Sequence, residues 1–135
     1  MADLLHKPLQ CIVVTPERSF LDAHADFVAL PMFDGELGVL PGRSALIGRL
    51  GYGELRIRDG AQTQRLYVDG GFAQVRNNVV TVLTPRAKKV SEINVSKVEE
   101  ELQAALVPTT TPAAQEAALK AQERARAQLR IASKE

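Results

Sequence analysis

The chain has 135 residues, enough for one ordinary domain or a small domain with an appendage. Apolar residues make up 45 %, which is sufficient for a real core, but aromatic residues make up only 4 %, with no Trp. That composition argues against a ring-stacking platform for single-stranded nucleic acid, and a formal net charge of +1 removes any overall electrostatic case for DNA, RNA or an anionic membrane.

From the N-terminus to Pro85, short apolar runs alternate with turn residues. Leu9–Val14 is β-branched and ends at Thr15-Pro16. Phe27–Leu30 ends at Pro31, Glu36–Leu40 at Pro41-Gly42, and Ala45–Leu50 at Gly51. Glu54–Arg58 alternates and ends at Asp59-Gly60, and Gln64–Val68 ends at Asp69-Gly70-Gly71. Phe72–Val75 ends at Asn77-Asn78, and Val79–Leu83 at Thr84-Pro85. Short strands at this spacing predict a sandwich or barrel. Asp59-Gly60 and Asn77-Asn78 can adopt the positive φ of tight hairpins. Asp69-Gly70-Gly71-Phe72 reads as a bulge or turn where one strand crosses another closely.

After Pro85 the period becomes helical. Val95, Val98, Leu102 and Ala105 share one face, with Asn94 as N-cap and Ser96 with Glu99 as a rival start. Pro108 stops this helix near Val107, and residues 108–112 form a stiff connector. A second helix runs from about Ala113 to Ile131. Its stripe of Ala114, Ala118, Ala121, Ala125, Leu129 and Ala132 is nearly all alanine. Such a seam buries little apolar area, so the antiparallel hairpin is expected to be marginal and detachable from the strand region. The boundary falls near residues 85–90, giving a strand domain over 1–88 and a helical domain over 89–135.

Motifs for chemistry are sparse. Asp34-Gly35-Glu36-Leu37-Gly38-Val39-Leu40-Pro41-Gly42 is a tightly turned loop–strand–loop. It lacks the Lys-Ser/Thr and following helix of a phosphate cradle. Asp34 and Glu36 have no His or metal ligand near them in sequence, so physics leaves a hairpin with an acidic tip or a partner-binding loop. His6 and His24 stand apart from each other and from Cys11, which argues against a metal site. Cys11, the single cysteine, reads as a small core hydrophobe. No apolar run approaches membrane-spanning length, and residues 1–7 match neither a secretory signal nor a transit peptide. A soluble, reduced, cytoplasmic protein is expected, with any membrane association through a partner. The cations of the last helix, Lys120, Arg124, Arg126, Arg130 and Lys134, suit either a solvated face or an acidic protein partner. Nucleic acid is disfavoured because Glu116 and Glu123 interrupt them.

Five segments in order are similar to the epsilon chains of bacterial and chloroplast F-type ATP synthases. They are Val13-Val14-Thr15-Pro16-Glu17, Gly35 through Leu46, Gly53-Glu54-Leu55-Arg56-Ile57, Gly70-Gly71-Phe72-Ala73-Gln74-Val75 and Val79-Val80-Thr81-Val82-Leu83. An Ala/Arg-rich C-terminal helix follows them. The resemblance implies a mainly β fold with some α: a flattened N-terminal β-sandwich of about ten strands and a C-terminal antiparallel two-helix hairpin. It implies a non-catalytic rotor part that joins the gamma subunit to the c-subunit ring, peripheral on the cytoplasmic face of the inner membrane. Asp34, Gly35, Glu36, Leu37, Gly38, Pro41, Gly42 and Arg43 would contact the c ring and gamma. Glu36 would face the c loops, and Arg43 would lie towards gamma.

The same resemblance implies helices with two arrangements, folded down or extended along gamma. Extended, they would block hydrolysis, with Arg124, Arg126, Arg130 and Lys134 meeting acidic loops of the beta subunits in the alpha/beta head. Some relatives hold ATP through I/L-D-x-x-R-A. Here the matching positions are Ile93-Asn94-Val95-Ser96-Lys97-Val98, so the acid is Asn94 and the arginine is Lys97. Without the charge and the bidentate fork, weak or absent ATP binding is expected, and no cofactor or metal. Two rival readings are an adaptor that binds an unrelated acidic partner and a small enzyme using Asp34 and Glu36.

Overall fold

The computed structural model describes residues 7–133. His6, the rest of the N-terminal hexapeptide and Lys134 lie outside them. The chain divides into two compact units, Met1–Lys88 and Lys89–Glu135.

The first unit contains β1 (Leu9–Thr15), β2 (Arg18–Ala25), β3 (Phe27–Met32), β4 (Gly35–Val39), β5 (Leu46–Asp59), β6 (Gln62–Arg76), β7 (Val79–Leu83) and β8 (Ala87–Lys89). Their hydrogen-bonded order is β2-β1-β7-β6-β5-β3-β4, with β8 beside β6. Only the β1–β7 pair among these strands is described as parallel. The sheet folds over on itself, so inward residues from its two ends meet in one core. Leu9, Cys11, Val13, Val80 and Val82 come from one end, and Val28, Leu30, Val39, Leu55, Ile57 and Leu66 from the other. Each is at most 1 % exposed, and burying one aliphatic side chain this fully stabilises by about 1.5–3 kcal/mol. Burial also pushes the Cys11 thiol up to about 12, with the Asp22 charge adding to the shift, so the sulfur stays protonated and behaves as a hydrophobe.

Two of the long strands differ from the sequence reading. The expected pairs at 45–50 with 54–58 and at 64–68 with 72–75 are each one continuous strand, β5 and β6, in unbroken register from Leu46↔Val75 to Asp59↔Gln62. The intervening glycines are not stops. A Cβ at Gly53 would come within 2.8 Å of Pro31 Cβ, and one at Gly71 would overlap the Leu83 carbonyl. Gly71 also has φ +103°, which other residues rarely adopt. Gly71 therefore lets the backbone at Leu83 pass, as expected for the Asp69–Phe72 crossing, and Gly53 leaves room for the Pro31 ring. β2 is an addition, as is the very short β8. β2 carries Ser, Asp, His and two Ala residues beside Phe20 and Leu21, and half of it is exposed, so its composition gives little strand signal. It forms because β1 offers it a full ladder from Leu9↔Ala25 to Thr15↔Arg18. Both predicted hairpin turns are present, with φ +61° at Gly60 and φ +51° and +63° at Asn77 and Asn78.

The second unit begins with a 3₁₀ turn, Val90–Glu92, followed by α1 (Val95–Ala105) and α2 (Pro112–Ala132). The Asn94 side-chain oxygen accepts from the Lys97 N–H at 3.1 Å, which selects Asn94 over Ser96 as the cap. α2 starts one residue earlier than expected. Thr111 caps it by accepting from the Ala114 N–H, and Pro112 takes the first helical position, where its missing N–H is harmless. Gln122 Nε2 donates to the Ala105 carbonyl at 3.0 Å, tying the end of α1 to α2. Every member of the alanine stripe is buried or half-buried. Val98 is buried on α1, but Val95, read on the same face, is 43 % exposed. Ala127, Gln128 and Ile131 form a further buried row that the alanine periodicity does not mark.

Candidate docking surface

Asp34 to Arg43 forms a loop, an edge strand and a second loop. Phe33-Asp34 is the two-residue tip between Met32 and Gly35, which pair across β3 and β4. β4 pairs only with β3 and has a free outer edge. Along it, Leu37 packs on the core and Val39 is buried, while Glu36 and Gly38 face outward. A Cβ at Gly38 would press to 3.0 Å on the Phe27 ring, so this position stays small. Five residues at about 3.3 Å each place the Asp34 end roughly 17 Å from the Pro41-Gly42-Arg43 end. The named residues therefore line an edge and do not gather into one tip.

Glu36 is not a bare acid. Its Oε1 accepts from Arg56 Nη2 at 2.6 Å, reaching across β3 to β5. Arg56 is also 3.7 Å from Glu54, which pairs with Arg65 on β6. The four charges alternate across the sheet. Glu36 and Arg56 are 55 % and 40 % exposed, so their pair contributes at most about 1 kcal/mol but fixes where the carboxylate sits. Glu36 is thus paired with Arg56, while Asp34 sits at the exposed tip of the β3–β4 turn. Among the described residues no group of three or more His, Cys, Asp or Glu is placed to hold a metal.

Beyond β4 the chain turns through Leu40-Pro41-Gly42-Arg43. Arg43 N–H donates to the Leu40 carbonyl at 3.2 Å, and Gly42 has φ +84°. Pro and Gly at the two central positions make this a type II turn. Arg43 is exposed at its end.

Beside this edge lies an apolar strip that the sequence reading did not single out. Phe33, Ile47, Phe72 and Leu83 are 64, 74, 57 and 51 % exposed. Their registers explain the alignment: Phe33 N–H donates to the Arg49 carbonyl, Arg49 pairs with Phe72, and Phe72 pairs with Leu83. The Arg49 guanidinium lies 5.3 Å from the centroid of the Phe33 ring. The signal was period-two alternation through 46–50 and 72–76, visible only once the strand ends are known.

The C-terminal cations do not form one face. At about 100° per residue, Arg126 and Arg130 lie together, whereas Arg124 points about 200° away from Arg126. Arg126 and Arg130 are exposed; Arg124 is half-buried and is not a free cation. Lys120 is exposed and sits 3.5 Å from Glu116. Of the nucleotide candidates, Asn94 spends its side-chain oxygen on the helix cap, and Lys97 is exposed.

The family described as ATP synthase, Delta/Epsilon chain, beta-sandwich domain matches residues 8–90. The ATP synthase epsilon chain of Rhodopirellula baltica is 53 % identical over 123 residues, covering 90 % of this chain and 96 % of the relative. That of Granulibacter bethesdensis is 42 % identical over 67 % of each. A chain in the Euglena gracilis mitochondrial ATP synthase (OSCP/F1/c-ring) shares the fold with TM-score 0.80 at 22 % identity, over 88 % of this chain and 78 % of that one. One from the Tetrahymena thermophila central stalk/c-ring does so with TM-score 0.73 at 16 % identity, over 94 % and 98 %. A matching sandwich domain and a relative this similar over nine-tenths of the sequence establish that the chain belongs to the ATP synthase delta/epsilon family, as an epsilon chain.

Proposed function

We propose that this chain is a non-catalytic part of the ATP synthase central stalk that links the gamma subunit to the c-subunit ring. The observation that carries this reading is the free β4 edge, with a turn at either end, beside the exposed Phe33–Ile47–Phe72–Leu83 strip. A large apolar strip in solvent favours a protein partner, and transmitting torque requires shape and burial, which such a surface can supply. Asp34, Gly35, Glu36, Leu37 and Gly38 then meet the c ring. Pro41, Gly42 and Arg43 lie towards gamma. The complex sits peripherally on the cytoplasmic face of the inner membrane, and no described helix is long and apolar enough to cross one.

The helical unit serves as a brake on ATP hydrolysis in the same reading. Its alanine seam is the supporting feature, because a two-state element needs arrangements within a few kcal/mol of each other. Arg126 and Arg130 are the cations available for acidic beta-subunit loops. With Asn94 acting as cap and Lys97 in place of arginine, the hairpin binds ATP weakly or not at all.

The test has two parts. The full chain should co-purify with gamma and the c ring, and failure to capture either removes the linking role in favour of an adaptor for another partner. ATP hydrolysis by the reconstituted head with gamma is then compared for the full chain and for a form ending at Lys88. A several-fold rise on truncation supports the brake, and equal rates with gamma binding retained remove it. Any turnover by the purified chain that disappeared in Asp34→Asn or Glu36→Gln would restore the enzyme reading.

A further inference from the structure

We propose that Asn78 is the positioning residue of the Pro41-Gly42-Arg43 turn, holding it in the orientation its partner meets; this rests on the docking reading above. In a type II turn the internal hydrogen bond joins the first carbonyl to the fourth N–H, here Leu40 to Arg43, and leaves the N–H of the third residue unused. That N–H belongs to Gly42, and it donates to Asn78 Oδ1 at 2.8 Å. Among the described residues this is the one long-range hydrogen bond from the exposed segment 40–45. Leu40, Gly42, Arg43, Ser44 and Ala45 are otherwise exposed. Without the bond the turn keeps its shape but loses its tether, and Arg43 can swing about residues 39–40.

Asn78 suits this role in ways that few residues could match. It occupies the second position of the β6–β7 turn with φ +63°, which asparagine tolerates better than most. It is only 5 % exposed, so its hydrogen bonds are shielded from competing water. Its Nδ2 donates to the Lys7 carbonyl at 3.4 Å, and its own carbonyl accepts from Gln10 N–H at 2.8 Å. One side chain thus ties the docking turn to the start of β1 and to the β6–β7 hairpin. The docking turn is built on the core of the sandwich through it.

The first measurement is amide hydrogen exchange on the full chain. The Gly42 amide should exchange about tenfold more slowly than the exposed Ser44 amide, and equal rates would overturn the assignment. Asn78→Gly keeps the positive φ and removes the side-chain bond, so Gly42 should lose its protection. Capture of the full-length variant by a gamma–c-ring complex should weaken by about threefold to tenfold, the fold-change of one net hydrogen bond. Asn78→Asp retains the acceptor oxygen for Gly42 but loses the Nδ2 donor to the Lys7 carbonyl and buries a charge, so it should recover only part of that loss. Arg43→Glu is the control for the surface itself. If Arg43→Glu weakens capture but Asn78→Gly does not, the positioning role fails and the docking reading stands. If neither weakens it, both fail.

Discussion

The two units of this chain are stabilised by different quantities of buried side chain. In the strand unit, Leu9, Leu30, Leu55, Ile57, Leu66 and Tyr67 are fully buried, and most of them share one continuous core. In the helical unit the buried residues are fewer and mostly smaller: Val98, Ala125, Ala127, Gln128 and Ile131. Apolar area removed from water sets the scale of stabilisation, so the strand unit is expected to resist opening more strongly. The difference suits a division of labour in which one part stays rigid and the other is free to rearrange.

Substitutions can break or sharpen this contrast. The largest effect is expected from Gly71→Ala, where the new methyl would overlap the Leu83 carbonyl and φ is +103°. A loss of about 4 kcal/mol is expected, read as a fall in the denaturant midpoint of the strand unit. If the loss were under about 1 kcal/mol, the crossing would not be the tight approach described. Leu66→Ala should cost about 3 kcal/mol by leaving a cavity in the shared core. Thr111→Ala removes the cap of α2 and should cost about 1 kcal/mol. Exchange protection should fall in residues 112–132 and hold in β5 and β6. Loss of protection in both places would make the two units one cooperative block and undo the comparison.

The smallest expected effect concerns acid. The Gly60 N–H at 2.8 Å and the Arg58 guanidinium at 3.0 Å hold the Asp26 carboxyl below its usual range. A carboxyl depressed in the folded state stabilises fully above its unfolded value of about 4, and the benefit disappears as pH falls through the folded value. Asp26→Asn should therefore lower strand-unit stability slightly at neutral pH, where the benefit is present, and converge with the parent in acid, so that the decline between pH 5 and acid is flatter. Because Asp26 is solvent-exposed, the difference should be small, and a variant that declines as steeply as the parent would show that this carboxyl plays no part.

Local chemistry was readable from the sequence because its causes lie within a few residues. Pro16, Asp59-Gly60, Asn77-Asn78, Asn94 and Pro108 mark turns and helix ends through their own backbone preferences, and the chain turns or ends there. The alanine period marked one half-buried to buried row of α2 but not the row of Ala127, Gln128 and Ile131. The quoted segments were enough to suggest the family, and the residue 8–90 match and the epsilon-chain relatives agree with it.

The folded molecule decided what depends on distant neighbours. A glycine in sequence can stop a strand or make room for a neighbour, and Gly53 and Gly71 do the latter because the Pro31 ring and the Leu83 backbone lie against them. An exposed-looking arginine can be half-buried, as Arg124 is. Asn78 reads as a turn residue, yet its side chain anchors a loop 36 positions earlier. By itself the sequence determined the turns, the helix ends, the apolar composition of the core and the family, because these follow from each residue's own stereochemistry and solvation. Which glycines are crossings, which charges stay in water and which side chain bonds the Leu40–Arg43 turn were decided only by tertiary structure, because each depends on atoms that folding brings within a few ångströms.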